Sequence, residues 1–177
     1  MTDKVVVITG GSRGIGRATA LAAAARGYRI VVGYATNQAA ADEVVSAIEA
    51  KNGKAIAVKC DVGSEADILA LFKAADGFGT LGALVNNAGI VGKSGVRVDE
   101  MSAERIQQMM AVNVTGSILC AREAVKRMST RHGGKGGVIR PEEFESYQAW
   151  FEANGQLKPG QIRAADVYTN RFNPFAD

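Results

Sequence analysis

Residues 9–16 read Thr-Gly-Gly-Ser-Arg-Gly-Ile-Gly, a spacing of glycines that suits the backbone to hold a phosphate. The segment follows the β-branched run Val5-Val6-Val7-Ile8 and leads into an Ala-rich helical pattern. A turn in that place brings free backbone N–H groups and the positive end of a helix dipole to one point, which favours an anion. Gly10, Gly14 and Gly16 allow close approach, with Ser12, Arg13 and Ile15 between them. Read from Gly11 as a nucleoside-triphosphate loop, the segment fails, because Arg17-Ala18 stands where Lys-Ser/Thr is required. It is not Gly-x-Gly-x-x-Gly either, since Thr19 takes the last glycine's place. A nucleotide cofactor is expected, and nucleotide hydrolysis is not.

Other chemistries find little support. Cys60 and Cys120 are far apart in sequence and belong to no motif, and His132 is the single histidine. A zinc centre needs more ligands at tighter spacing, so no metal site is expected. No Gly-x-Ser-x-Gly elbow accompanies His132, which sets aside hydrolase chemistry of the Ser-His-Asp kind.

The elements that must position the glycine turn alternate along the chain. Strands are expected at about 4–9, 29–34, 54–59, 81–86 and 136–139, and helices at about 14–26, 37–51, 64–76 and in two stretches within 100–131. Ser64 followed by Asp67 reads as an N-cap pair opening the third helix. The alternation implies an α/β fold, a doubly wound parallel sheet in the order 3-2-1-4-5.

The 177 residues suit one such domain, being 47% apolar and 22% charged. A net charge of +3 is too mild to argue for a nucleic-acid or membrane partner. Six Lys/Arg and one acid, Glu123, fall within residues 122–140, a pattern that reads as a solvated helix end. Asp3 and Lys4 precede the first strand, and no apolar run approaches the ~18 residues of a membrane span, so a cytoplasmic location is expected.

The pattern changes at Arg140-Pro141. Residues 1–140 hold four aromatics and a net charge of +6, whereas residues 141–177 hold seven aromatics and a net charge of −3. We expect a dinucleotide-binding domain over 1–140. An aromatic-rich tail over 141–177 follows it, with an amphipathic helix carrying Phe144, Tyr147 and Phe151 on one face.

Thr9, Gly10, Gly14 and Gly16 together resemble the signature Thr-Gly-x-x-x-Gly-x-Gly of the short-chain dehydrogenase/reductase family. Three further stretches resemble it in order. Asp61-Val62 closes the third strand, where the family's aspartate contacts adenine, and Asn86-Asn87-Ala88-Gly89 closes the fourth. Asn113, within Val112-Asn113-Val114-Thr115-Gly116, falls where the family places its catalytic asparagine. The resemblance covers residues 4–139 and implies a Rossmann-like fold that binds a nicotinamide dinucleotide and moves a hydride to or from a small-molecule alcohol or carbonyl. It implies cofactor contacts from Gly10, Ser12, Arg13, Gly14, Ile15, Gly16, Tyr34, Asp61, Val62, Asn87, Ala88 and Gly89, with Asn113 in a catalytic role.

The choice of cofactor has a physical argument. An NAD(H) binder presents a carboxylate near the end of its second strand. Here that place falls at Tyr34, with no acid before Asp42, while Arg13 offers a guanidinium for a 2′-phosphate. NADP(H) is therefore expected over NAD(H).

The family also uses a strand-five serine and a Tyr-x-x-x-Lys as its acid/base, and this sequence departs there. Gly136-Gly137-Val138-Ile139 runs into Arg140-Pro141 with no serine before Ser146, and none of Tyr28, Tyr34, Tyr147 and Tyr168 has a lysine four residues on. Pro159-Gly160-Gln161-Ile162 weakly resembles the family's Pro-Gly-x-Ile, but Ala164 stands where a hydroxyl residue is expected. The catalytic part thus reads as absent or replaced. The expectation is an NADP(H)-dependent oxidoreductase with impaired catalysis. Its alternatives are a non-enzymatic NADP(H)-binding or interaction module and a truncated or frameshifted gene product. The family's usual dimer surface draws on a helix not recognisable here, which leaves a homo-oligomer open.

Overall fold

Four short runs of β-branched and small apolar residues form a parallel sheet in the computed structural model, which describes residues 3–91 and 97–129. All of these lie within one unit, Met1–Gly136. The strands are β1 (Lys4–Ile8), β2 (Arg29–Tyr34), β3 (Lys54–Lys59) and β4 (Thr80–Val85), ordered β3-β2-β1-β4. The expected order is matched as far as β4. The expected fifth strand at 136–139 and the tail at 141–177 lie outside the described residues, as does His132.

Alternate side chains of β1 feed two different cores, which is why its sequence is apolar without a break. Val5 and Val7 face α3 (Glu65–Phe78) and α5 (Ser117–Met128), joining Ile68, Leu71, Phe72 and Cys120. Val6 and Ile8 face the other way, onto α1 (Gly14–Ala25) and α2 (Gln38–Glu49), joining Ala20, Ala41, Val44 and Ile48. Full burial of a side chain such as Phe72 is worth about 2–3 kcal/mol. The buried residues of α1 are only Gly16 and Ala20, so that helix lies close against the sheet.

Caps set the helix starts. Asn37 Oδ1 accepts from Ala40 N–H at 3.0 Å, and Ser64 Oγ accepts from Asp67 N–H at 3.3 Å, as the Ser64/Asp67 spacing predicts. The two helical stretches expected within 100–131 form one nearly continuous rod. A 3₁₀ turn (Val98–Glu100) precedes α4 (Ala103–Met110), and a π-helical turn (Ala111–Gly116) joins α4 to α5. No helix among the described residues is long and apolar enough to cross a membrane.

The fold adds to two sequence readings. Cys60 and Cys120, distant in sequence, share the core beneath α3 and α5. Burial first, then Cys120 and the carboxylates of Asp67 and Asp61, pushes the Cys60 thiol up to about 12, and burial pushes Cys120 up to about 11. Neither is a reactive thiolate at neutral pH.

The described part of the basic cluster ends a helix, with Arg122 and Lys126 exposed as expected, but it also closes over a buried acid. Glu123 is only 3% exposed and accepts from Arg122 Nε at 3.0 Å, Lys126 Nζ at 2.8 Å and Arg127 Nη1 at 2.9 Å. Arg122 also reaches Glu65 at 2.6 Å, and Arg127 grips Asp76 with two bonds of 2.7 and 2.9 Å, so the cations staple α5 to α3. Burial alone would raise the Glu123 pKa, but the three cationic donors outweigh it and hold the carboxyl down to about 2. A depressed carboxyl stabilises the fold above its unfolded value and loses that contribution as pH falls toward its folded value. Glu123→Gln is therefore expected to lower stability by about 2 kcal/mol at pH 7, a deficit that shrinks as pH falls from 4.5 to 2. Urea midpoints of both proteins across that range measure it.

Candidate functional site

The glycine turn is bound into the sheet before it can bind anything else. Thr9 N–H donates to Val85 O at 3.1 Å, and Gly11 N–H donates to Gly33 O at 2.9 Å, tying the turn to the ends of β4 and β2. Thr9 is 2% exposed, and its hydroxyl accepts from Asn87 N–H at 3.1 Å and Ala88 N–H at 3.0 Å. Asn87 returns the contact, Nδ2 donating to Thr9 O at 3.0 Å and Gly10 O at 2.9 Å. Two segments read as separate motifs are thus one laced unit. The sequence pattern includes Thr9 without revealing that its side chain is the lace.

Glycine is required here by conformation and by space. Gly10 has φ 62° and Gly14 φ 53°, left-handed values that disfavour a side chain. A methyl on Gly16 would sit 2.5 Å from Asn87 Nδ2 and closer still to the Gly10 carbonyl. A methyl on Gly14, by contrast, would meet nothing within 4 Å, because the mouth of α1 is open.

That mouth carries unspent donors. Arg13 is the N-cap in extended conformation, and its side chain makes no capping bond. The helix's first bond runs from Arg17 N–H to Arg13 O at 3.1 Å, leaving the amides of Gly14, Ile15 and Gly16 without a carbonyl one turn back. The Arg13 side chain is exposed and pairs with no carboxylate among the described residues. Ser12 is half-buried in the turn, and Ile15 is 80% exposed at the mouth.

At the end of β2, Tyr34 is 7% exposed and packs into the core with Ala20, Ala41 and Val44. The residues that reach the surface there are Ala35, Thr36 and Asn37, none of them acidic. At the end of β3, Asp61 is exposed, and its Oδ1 accepts from Gly63 N–H at 2.8 Å while its own N–H donates to Asp67 Oδ2 at 2.9 Å. Val62 is buried, and Gly116 of the π-helical turn lies directly on its carbonyl.

Asn113 sits in that π-helical turn, a local rewinding that recurs at functional sites. Its side chain makes two bonds to one neighbour: Oδ1 accepts from Ile90 N–H and Nδ2 donates to Ile90 O, each at 2.8 Å. Gly89 adjoins it, a methyl there falling 3.4 Å from Asn113 Oδ1. Asn86 Nδ2 donates to Ser117 O at 3.0 Å, and Arg105 donates to Val91 O. Sequence reasoning finds Asn113 but not Arg105, whose partner lies 14 residues away and leaves no local signal.

Known proteins place this arrangement. The family model for short chain dehydrogenase matches residues 4–139. The chain is 48% identical over 185 residues to the uncharacterised oxidoreductase YgfF of Escherichia coli (strain K12), covering 96% of this chain and 74% of that one. It is 34% identical over 198 residues to the chloroplastic NADPH-dependent aldehyde reductase 2 of Arabidopsis thaliana, covering 98% and 72% of the two chains. The structure of a dehydrogenase/reductase from Sinorhizobium meliloti 1021 superposes with a TM-score of 0.67 at 31% identity, over 71% of this chain and 50% of that one. Several other curated relatives are matched over 51–54% of their length. With the match covering most of the sequence, and the glycine turn and its β4 partner laced as one unit, the chain belongs to the short-chain dehydrogenase family, whose members bind nicotinamide dinucleotides.

Proposed function

We propose that this chain binds NADP(H) across the carboxyl ends of its strands and that, with the residues it contains, it does not complete the reduction of a carbonyl or oxidation of an alcohol. The observation that carries the first half is the open mouth of α1, where, among the described residues, three amides are unspent, Arg13 has no carboxylate partner and nothing fills the space at Gly14. Gly14, Ile15 and Gly16 would hold the pyrophosphate, with Gly10 and Ser12 shaping the turn. Arg13 would hold the 2′-phosphate, and the Asp61 carboxylate and Val62 would border the adenine. Asn87, Ala88 and Gly89 would line the other half of the dinucleotide. The absence of an acid from Tyr34 to Asn37 supports NADP(H) over NAD(H), as does the NADPH dependence in the Arabidopsis relative's name.

A bound nicotinamide supplies or accepts the hydride. The protein must then move a proton at the substrate oxygen, a step that calls for a positioned acid/base. The 177 residues contain no Tyr-x-x-x-Lys, and Tyr34 lies in the core. The Asn113 amide holds Ile90 and, having no ionisable proton, is not itself an acid/base for the substrate oxygen. The same facts favour a dinucleotide-binding module as the second reading.

Titration with NADPH and NADH tests the binding, and an assay with simple ketones and sugars tests turnover. Saturable NADPH binding without turnover is the expected result. Arg13→Ala should weaken NADPH about tenfold and leave NADH unchanged, the loss of one charge-assisted phosphate contact. NADPH-dependent turnover abolished by Asn113→Ala would overturn the catalytic half of the proposal.

A further inference from the structure

The sheet order β3-β2-β1-β4 makes the chain reverse direction about β1, so the crevice for a dinucleotide opens between the ends of β1 and β4. Asp61 ends the β3 side of that crevice, and residues 86–91 form the β4 side. What fixes the β4 side is unusual in one respect. The Val91 side chain is 81% exposed, so packing does little to hold this stretch in place. Polar contacts do it instead: Asn113 grips Ile90 at both backbone atoms, and the Arg105 guanidinium donates through Nη2 to Val91 O.

Arg105 is itself pre-set for that contact. It stands in the first turn of α4, where Ser102 Oγ accepts its N–H at 3.3 Å, and its Nη1 donates to Gln108 Oε1 at 2.8 Å. It has no carboxylate partner among the described residues, so its charge is directed at a neutral backbone carbonyl.

We propose that Arg105 is a positioning residue: with Asn113 it clamps Ile90 and Val91, so that the chain leaving β4 offers a fixed edge to the nicotinamide half of the dinucleotide. The proposal rests on the cofactor reading above. Arg105 touches only protein; its effect on the ligand passes through residues 90 and 91.

The test compares the full chain with Arg105→Ala and Arg105→Lys, using NADPH and 2′,5′-ADP as probes in calorimetric titrations. The second probe carries the phosphate and adenosine but no nicotinamide. Arg105→Ala is expected to weaken NADPH about fivefold and leave 2′,5′-ADP unchanged, with Arg105→Lys recovering part of the loss. In the ligand-free proteins, the Ile90 amide should exchange with solvent faster in Arg105→Ala than in the parent. Equal weakening of both probes would reduce Arg105 to general stability and overturn the proposal, as would no change in either. A parent protein that binds 2′,5′-ADP and NADPH shows the cofactor reading sound whichever way the variants fall. If it binds neither, that reading fails, and the clamp falls with it.

Discussion

Gly16→Ala should abolish dinucleotide binding and lower the melting temperature by about 10 °C. The methyl would sit 2.5 Å from Asn87 Nδ2, which must then give up its bonds of 3.0 and 2.9 Å to Thr9 O and Gly10 O. The Gly10 carbonyl is backbone and cannot swing aside as a long side chain would. Overpacking of this kind costs about 1–3 kcal/mol, and each hydrogen bond lost adds about 1. A total near 4 kcal/mol corresponds to about 10 °C for a chain of this size. Gly14→Ala is the control. Its methyl meets nothing within 4 Å, so only the strain of φ 53° remains, about 1–2 kcal/mol. Calorimetric melting and NADPH titration of the two variants separate crowding from strain. Equal losses would show that the close packing at Gly16 is not what constrains the site.

Thr9→Val is the second. Valine keeps the shape and the apolar contacts but deletes the oxygen that accepts from both Asn87 N–H and Ala88 N–H. Two amides beneath the turn would then lack acceptors, at about 1–3 kcal/mol each. We expect a loss of about 3 kcal/mol in chemical denaturation, faster amide exchange at Asn87 and Ala88, and weaker NADPH binding as the two loops part. Thr9→Ser, which keeps the hydroxyl, should recover most of it. A Val variant as stable as the parent would mean that water replaces the hydroxyl without cost.

The contrast between these positions shows what sequence can convey. The glycines are legible because their reason is local: a backbone that turns with positive φ into a helix leaves a spacing in the chain itself. The first three helices and the four described strands are legible for a similar reason, since burial on both faces demands unbroken Val and Ile in β1 and β2. Asn113 is legible as a position but not as a partner, because Ile90 lies 23 residues away and nothing between them encodes the pairing. Glu123 is hidden for the same physical reason. Its cations come from its own helix, but the acids that complete the network, Glu65 and Asp76, belong to α3. The π-helical turn is hidden as well, because one extra residue in a helical repeat barely alters the apolar spacing on either side of it.

The lacing of Thr9 to Asn87 also has a consequence in time. Its hydrogen bonds join residues 77 to 79 positions apart, so neither partner can satisfy the other until β1 through β4 have all been made. Contacts of such long range form late, after the intervening loop has lost its freedom. A growing chain would therefore bury β1 against α1 and β2 well before its glycine turn becomes rigid. On the cofactor reading, dinucleotide affinity would appear only after residue 88 has left the ribosome and docked, which makes a bound dinucleotide a reporter of the closed turn.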